Sequence, residues 1–367
     1  ILQKNNFGLK VGTEKWFLDM VGLATLSDMV PLVDENRIFA VFGLKVLRKS
    51  QRIGLLKLFK KLKLDQKNIT EDDIGFTITP RINAASRMGV PMDAFKLLST
   101  SDANEAEKFA EHLDKINNER KGIVASMVKE ARKKIVSRGG QDGMDKVIVL
   151  GNPDWKPSLL GLVANSLVGD HSRPVFLWGR VGNEIIKGSC RSSGEVSVVE
   201  VMSYAKEVFI DFGGHKMSGG FSVSIDKVHL LENALVKGYE LAVNSFKDGD
   251  GDIVLDKKLN LDDVSWETYK EIEKFAPFGT GNSKPLFLFE KVSPVNVKVF
   301  GKENNHLELT FKSLKGKKIV AIAFFSTPTS FGGDIKVGIP IDLIATLEKS
   351  NFRNFPELRL RIVDVLN

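Results

Sequence analysis

The chain has 367 residues, 43% of them hydrophobic and 27% charged, with a net charge of +7 and a pI of about 9.2. That length supports two or three domains, each with its own core, and the basic balance suits a polyanionic partner. A single cysteine, Cys190, excludes a disulfide framework and a cysteine zinc site and fits a reducing, cytoplasmic setting. No apolar run reaches the roughly 18 residues of a membrane span, and no secretory leader is visible. The first residue is Ile rather than Met, which reads as a chain whose own N-terminus lies further upstream.

Residues 14–32, EKWFLDMVGLATLSDMVPL, are apolar around Asp19 and Asp28 and predict a buried helix that turns at Pro31. Residues 43–63 hold eight Lys or Arg and no acid, with leucines at helical spacing, and predict one or two amphipathic helices with a basic face. FTITPRINAASRMG (76–89) is interrupted by Pro80, Asn83 and Gly89 and predicts a loop with a short helix. Residues 102–137 predict one long helix, capped by Ser101 or Asp102, with Glu105 in its first turn. Phe109, Leu113, Ile116, Ile123 and Met127 form its apolar seam, which Arg120 interrupts.

After a linker at 137–145 the texture becomes α/β. It runs strand KVIVLG, helix PSLLGLVANSLV, strands PVFLWG and EIIKGSC, helix SVVEVMSYAKEVF, a glycine-histidine loop, strand GFSVSI and a helix over 227–246. A second linker, FKDGDGD (246–252), has the aspartate spacing of a calcium loop, but Ile253 and Leu259 stand where that loop needs Gly and Glu, which excludes calcium. From 285 onward, alternating apolar segments predict a small β-barrel of five or six strands.

Four stretches carry chemistry. Asp28 is an acid within an apolar segment and reads either as a cap or as a metal ligand, because burying a lone carboxylate is costly. PRINAASR places Arg81 and Arg87 around Asn83 and two alanines, and guanidinium forks suit phosphate; a solvated helix face is the other reading. GSCRSSG (188–194) sets Ser189, Arg191, Ser192 and Ser193 at a strand end, either as an anion nest or as a serine-capped turn. DFGGHKMSGG brackets His215 with Gly213, Gly214, Gly219 and Gly220, an arrangement that lets a ligand backbone come close.

Taken in order, these stretches resemble the RecJ family, single-strand-specific 5′→3′ exonucleases of the DHH phosphoesterase superfamily. LATLSDMVPL resembles the family's last N-domain metal motif, TPRINAASRMG its GPRLNAAGR motif, and GSCRSS its SGRS segment. FGGHKMSGGFSV is similar to the GGH signature of the DHHA1 domain, and FAPFGTGNSKPLF to the PFGxGNPxPxF approach to an OB domain. Lys156 and Ser158 stand where the family shows His and Gly, and Ser86 and Cys190 each replace a Gly.

The fold class implied is α/β plus β-barrel. It comprises a remnant of a DHH domain (1–100, with the linker motif), a long connecting helix (101–140), an α/β DHHA1 domain (141–247) and a C-terminal OB-fold (252–367). The Asp-His-His motifs that name the superfamily are expected upstream of residue 1. The resemblance implies two-metal hydrolysis of single-stranded DNA with Mn²⁺ or Mg²⁺, releasing 5′-mononucleotides in DNA repair and recombination. Asp28 is then a metal ligand. Arg87, Ser189 and Arg191 hold the 5′ phosphate, with Arg81, Asn83 and Ser192 beside them, and His215 with Gly213 and Gly214 contacts the strand. In the barrel, Lys302 and Arg353 sit among the candidate platforms Phe300, His306, Phe311, Phe324, Phe352 and Phe355. A single-strand binding protein and a helicase are the partners the family implies. The alternative is a catalytically silent RecJ-like binding subunit of a replication or repair complex. On this reading the chain by itself binds single strands without cutting them.

Overall fold

A computed structural model describes residues 8, 10–139, 146–182, 185–245, 254–301, 304–331, 333, 335–350 and 355–366. The first half is helical: α1 Leu18–Ser27, α2 Asp34–Leu47, α3 Ile53–Leu62, α4 Thr79–Met88, α5 Met92–Ser99 and α6 Ala103–Ser137. Next come β1 Ile148–Gly151, α7 Pro157–His171, β2 Val175–Val181, β3 Ile185–Arg191, α8 Val198–Tyr204, β4 Asp211–His215, β5 Ser218–Ser224 and α9 Leu231–Ser245. The last part holds β6 Lys257–Lys258, α10 Trp266–Glu273, β7 Phe287–Val292, β8 Asn296–Phe300, β9 His306–Lys312, β10 Lys318–Phe324, β11 Ile341–Ser350 and β12 Glu357–Leu366. The two linkers expected at 137–145 and 246–252 lie largely outside the described residues.

Contacts divide the chain into two compact units. Ile1–Ser50, Asp65–Gly75 and Gly251–Asn367 form one, and Gln51–Leu64 with Phe76–Asp250 form the other.

In the second unit the long helix α6 is the spine. The Asp102 carboxylate caps it by accepting from the Glu105 N–H at 2.7 Å. Leu113 and Met127 of the expected seam are buried, as are Ala106, Ala110 and Ala131, whose small side chains let neighbouring helices approach. α3 lies against both α6 and α5, and Gly54 permits the approach to α5: a Cβ there would fall 1.6 Å from the Leu97 carbonyl oxygen. The basic face expected at 43–63 is partly neutralised, because Lys57 pairs with Glu107 at 2.7 Å and Lys61 lies 3.9 Å from Glu111. The segment 76–89 is more regular than its composition suggests. A π-helical turn, Asp73–Ile78, runs directly into α4, and Pro80 sits in the first turn, where its missing N–H is harmless.

The α/β part of this unit is a five-stranded sheet in the order β1-β2-β3-β5-β4. Only β1 and β2 are parallel; the other pairs are antiparallel. The glycine-histidine stretch, read from sequence as a loop, is instead the β4–β5 hairpin, with Gly213 opposite Gly220 and His215 opposite Ser218. One sheet face packs Phe176, Cys190, Phe221 and Val223 against α8 and α9. On the other face, α6 and α7 cover β1 and β2 through Ile148, Leu150, Val175 and Leu177.

In the first unit α1 and α2 cross where Gly22 meets Gly43; a Cβ on Gly22 would stand 2.5 Å from the Gly43 Cα. Asp19 is buried beneath this crossing and accepts a 2.7 Å hydrogen bond from the Ser50 hydroxyl. The Arg37 guanidinium donates to the Phe275 carbonyl at 2.8 Å, and the Leu32 N–H to the Thr280 carbonyl at 2.6 Å. Seven strands form one sheet in the order β6-β7-β11-β12-β10-β9-β8. Of the five or six strands expected from 285 onward, the five segments recognised are β8 to β12 and β7 is a sixth; β6 and α10 were not anticipated. Phe289, Leu307, Leu309, Phe311, Leu343 and Leu360 fill its core. Phe311 is therefore a core residue and not a stacking platform. No helix among the described residues is long and apolar enough to cross a membrane.

Candidate nucleic-acid interface

Side chains alternate between the faces of a strand, so the sheet of the second unit sorts its own residues. On β3, Ser189 and Arg191 face one way and the buried Ile186, Gly188 and Cys190 face the other. Register places Gly220 opposite Ser189 and Ser218 opposite Arg191, with Gly213 and His215 next in line on β4. This is the face that α7 covers over β1 and β2. Over β3, β5 and β4 it carries short polar side chains, bare glycine backbone, one arginine and one histidine.

The glycines are not equivalent. Gly214 has φ +147°, and a Cβ on it would fall 2.3 Å from the Ser218 carbonyl oxygen. Gly219 is hemmed in by the Gly213 carbonyl oxygen, the Met202 methyl and the Cys190 sulfur at 2.9–3.0 Å. Both are demanded by the hairpin. A Cβ on Gly213 would meet nothing within 4 Å, and one on Gly220 would meet its nearest atom, the Gly188 carbonyl oxygen, at 3.6 Å. Neither needs a left-handed φ, so the fold itself does not require glycine at this exposed pair. Gly214→Ala is expected to cost about 1–3 kcal/mol of stability. Gly213→Ala is expected to melt with the wild type and to bind single strands more weakly; thermal melts and fluorescence anisotropy of the two variants check this.

His215 folds back on its own hairpin. Its Nδ1 accepts from the Met217 N–H at 3.3 Å, which leaves the ring proton on Nε2, 2.7 Å from the Ser218 hydroxyl oxygen. The Ser218 O–H can then donate outward to a ligand oxygen, so the pair is a two-residue donor. Ser192 departs from expectation. It is 5% exposed, its hydroxyl donates to the Val196 carbonyl at 2.5 Å, and its oxygen accepts from the Gly194 N–H. It fixes the turn and does not reach the open face.

Arg191 lies across α7, where Gly161 makes room; a Cβ there would stand 2.6 Å from Nη2. Its Nη1 donates to the Cys190 carbonyl at 2.7 Å. Arg87, from α4, donates to the Ser158 carbonyl at 3.2 Å, and the Ser158 hydroxyl donates back to the Arg87 carbonyl at 2.7 Å. Ser158, a departure from the family pattern, thus gains a contact that a glycine lacks. Ser158 and Gly161 are three residues apart on α7 and bring the two guanidinia to one place. Burial is the main reason Arg191 sits below the usual arginine range, and the charge of Arg87 pushes the same way. Arg81 is differently placed: it pairs with Asp114 at 3.1 Å and donates to the Thr77 carbonyl, so its charge is balanced within the fold. Asn83 is exposed on α4. Burial pushes the Cys190 thiol up to about 12, which leaves it inert beneath the face.

In the first unit the outer face of the seven-stranded sheet carries a cross-strand row, Phe300 on β8, His306 on β9 and Phe324 on β10. Ring centroids are 5.2 Å apart from Phe300 to His306 and from His306 to Phe324. Phe325 adds a fourth ring 5.0 Å from His306, and the Arg361 guanidinium stands 4.1 Å over Phe324. Arg361 and Arg359 both bond Glu348, at 3.1 and 2.9 Å. Burial raises the Glu348 carboxyl, and the two arginines more than offset this, holding it below the usual carboxylate range. Two cations thus share one anion, and the row keeps a positive charge. Sequence reasoning missed Phe325, Arg359 and Arg361. Lys302, Arg353 and Phe352 lie outside the described residues, and Phe355 is 79% exposed.

Two domain models match where these two faces lie: the DHHA1 domain over 144–237 and the RecJ OB domain over 255–364. RecJ of Bacillus subtilis, a single-stranded-DNA-specific exonuclease, is 31% identical over 95% of this chain and 43% of its own length. The chain belongs to the RecJ family. The exonuclease RecJ of Haemophilus influenzae is 29% identical over 94% of the chain and 60% of its own length. The crystal structure of Thermus thermophilus RecJ with Mg²⁺ superposes with a TM-score of 0.78 at 26% identity, over 99% of this chain and 53% of that one. The chain therefore spans about half the length of the relatives it matches.

A divalent metal can be tested against the residues present. Asp28 is exposed at the C-terminal end of α1, where its N–H bonds the Ala24 carbonyl. Among the described residues no group of three or more His, Cys, Asp or Glu is placed to hold a metal ion. The described residues do not by themselves fit a two-metal site.

Proposed function

We propose that this chain is the strand-holding part of a single-strand-specific DNA exonuclease that degrades from the 5′ end to 5′-mononucleotides in the reducing cytoplasm. The observation that carries the reading is the open sheet face of the second unit. There Arg87 and Arg191 carry no carboxylate partner among the described residues, beside bare glycine backbone and the His215–Ser218 donor pair. Arginine forks without a counter-charge suit a phosphate. Glycines that the fold does not need suit a sugar-phosphate backbone lying against the sheet. Arg87, Ser189 and Arg191 hold the terminal phosphate, and Gly213 and Ser218 the next phosphate along the strand. Arg81 keeps α4 fixed on α6. Asp28 is the one carboxylate we assign to Mn²⁺ or Mg²⁺. The aromatic row of the other unit stacks unpaired bases, which a duplex keeps hidden. A single-strand binding protein and a helicase are the partners we expect to supply such strands.

Fluorescence anisotropy with single-stranded and duplex oligonucleotides of equal length tests the reading. Single strands are expected to bind more tightly, with a log–log salt slope of about −0.7 for each phosphate neutralised. Equal affinity for duplex would overturn it. In a nuclease assay with Mn²⁺, the chain by itself is expected to bind without releasing mononucleotides; release that vanishes in Asp28→Ala would show instead that a full metal centre lies within it.

A further inference from the structure

We propose that Arg120, held in place by Asn117, is a third guanidinium of the terminal-phosphate site, and that the site thereby recognises the double charge of a phosphomonoester. The inference rests on the phosphate-site reading above and adds two residues of α6 that neither the motifs nor the relatives' names assign.

Asn117 is wholly buried, and its Oδ1 accepts two hydrogen bonds from Arg120, from Nε at 3.2 Å and from Nη2 at 3.0 Å. Its Nδ2 is buried with no partner among the described residues. Turning the amide over would set Nδ2–H against two N–H donors, so this orientation is the only workable one. A buried, unpaired N–H destabilises a fold. The chain tolerates one here, and what it gains is a guanidinium fixed in direction by a neutral acceptor.

A neutral acceptor matters because it leaves the charge intact. Arg81, in the same cluster, is balanced by Asp114. Among the described residues, Arg120, Arg87 and Arg191 bond only to an amide oxygen or to backbone carbonyls. α4 runs along α6 here, with Arg81 against Asp114 at 3.1 Å and Met88 and Ile123 on one core, so Arg87 and Arg120 lie in the same stretch; burial first, then the charges of Arg87 and Arg81, push Arg120 below the usual arginine range, and Arg87 acts on Arg191 as well. Arg87 is the charge common to both. Three like charges without a counter-ion are relieved most by a dianion. A terminal phosphomonoester carries a charge of about −1.5 to −2 at neutral pH, whereas each internal diester carries one negative charge, so the cluster favours the strand end.

The test is the ratio of affinities for 5′-phosphorylated and 5′-hydroxyl single strands, measured by anisotropy on the 367-residue chain. A misfolded fraction lowers both affinities alike and leaves the ratio unchanged. Arg120→Gln is expected to lower the ratio by about tenfold or more while affinity for the 5′-hydroxyl strand is nearly kept. Asn117→Asp keeps the size and the hydrogen bonds but neutralises Arg120, so the ratio is expected to fall although the melting temperature does not. If Arg191→Ala removes the preference and Arg120→Gln leaves it intact, or weakens both strands equally, this inference fails and the phosphate-site reading stands. An unchanged ratio in Asn117→Asp removes the positioning role. A wild-type ratio near one would overturn both the reading and the inference.

Discussion

Arg191→Ala is expected to weaken binding of a 5′-phosphorylated single strand by about 10- to 150-fold and to leave a 5′-hydroxyl strand almost unaffected. The magnitude follows from losing one charge-assisted hydrogen-bonded contact, ~1.5–3 kcal/mol. The selectivity follows from position. Arg191 lies on the open sheet face with its guanidinium over Gly161, beside Arg87. Gly161→Ala makes a companion variant that removes no charge. Its new Cβ would stand 2.6 Å from Nη2, and the flexible end of Arg191 must swing away. A similar loss in Gly161→Ala, with the melting temperature kept, would show that the direction of the guanidinium matters as well as its presence. Equal losses on both strands in Arg191→Ala would move Arg191 from the terminal phosphate to an internal one.

Where one physical signal dominates, the sequence was readable. The long helix was legible because a capping aspartate, an apolar seam and the absence of proline all agree over 103–137, and the one interior glycine, Gly122, does not interrupt it. The five strands β8 to β12 were legible because alternation marks a sheet with one buried face. The glycine-histidine stretch was misread as a loop because glycine density signals turns locally. The tertiary reason for glycine here is close packing at Gly214 and Gly219, with an open face at Gly213. Phe311 was misassigned because phenylalanine reads the same on either face; only register with Ile319 and the core decides. Asn117 and Arg120 were invisible as a pair. Arg120 was seen only as a flaw in the seam, and nothing in the spacing shows that a buried amide steers it. Ser192 looked like a nest residue because the Ser–Ser–Gly pattern serves a turn and an anion equally well.

Phe325→Ala should weaken single-strand binding by about 5- to 150-fold, the ~1–3 kcal/mol of one base stacked on an aromatic ring, with little change in stability. Two features single it out from the other rings. Phe324 is already covered by Arg361 at 4.1 Å, and its neighbours Phe300 and His306 meet it edge to face. Phe325 is 81% exposed and has φ 56°, a left-handed backbone that an aromatic residue rarely adopts. That turn brings its ring onto the same side as Phe324 although the two are adjacent in sequence, edge-on to His306 with 89° between the planes. Stacking and charge can then be separated with salt. Phe325→Ala should lower affinity and leave the log–log salt slope unchanged, whereas Arg361→Ala should also make that slope shallower by about 0.7. Phe311→Ala, in the core on the opposite face of β9, should instead lose ~3–5 kcal/mol of stability. A Phe325→Ala protein that binds single strands like the wild type would remove this ring from the interface and leave Arg361 and Phe324 to carry the row.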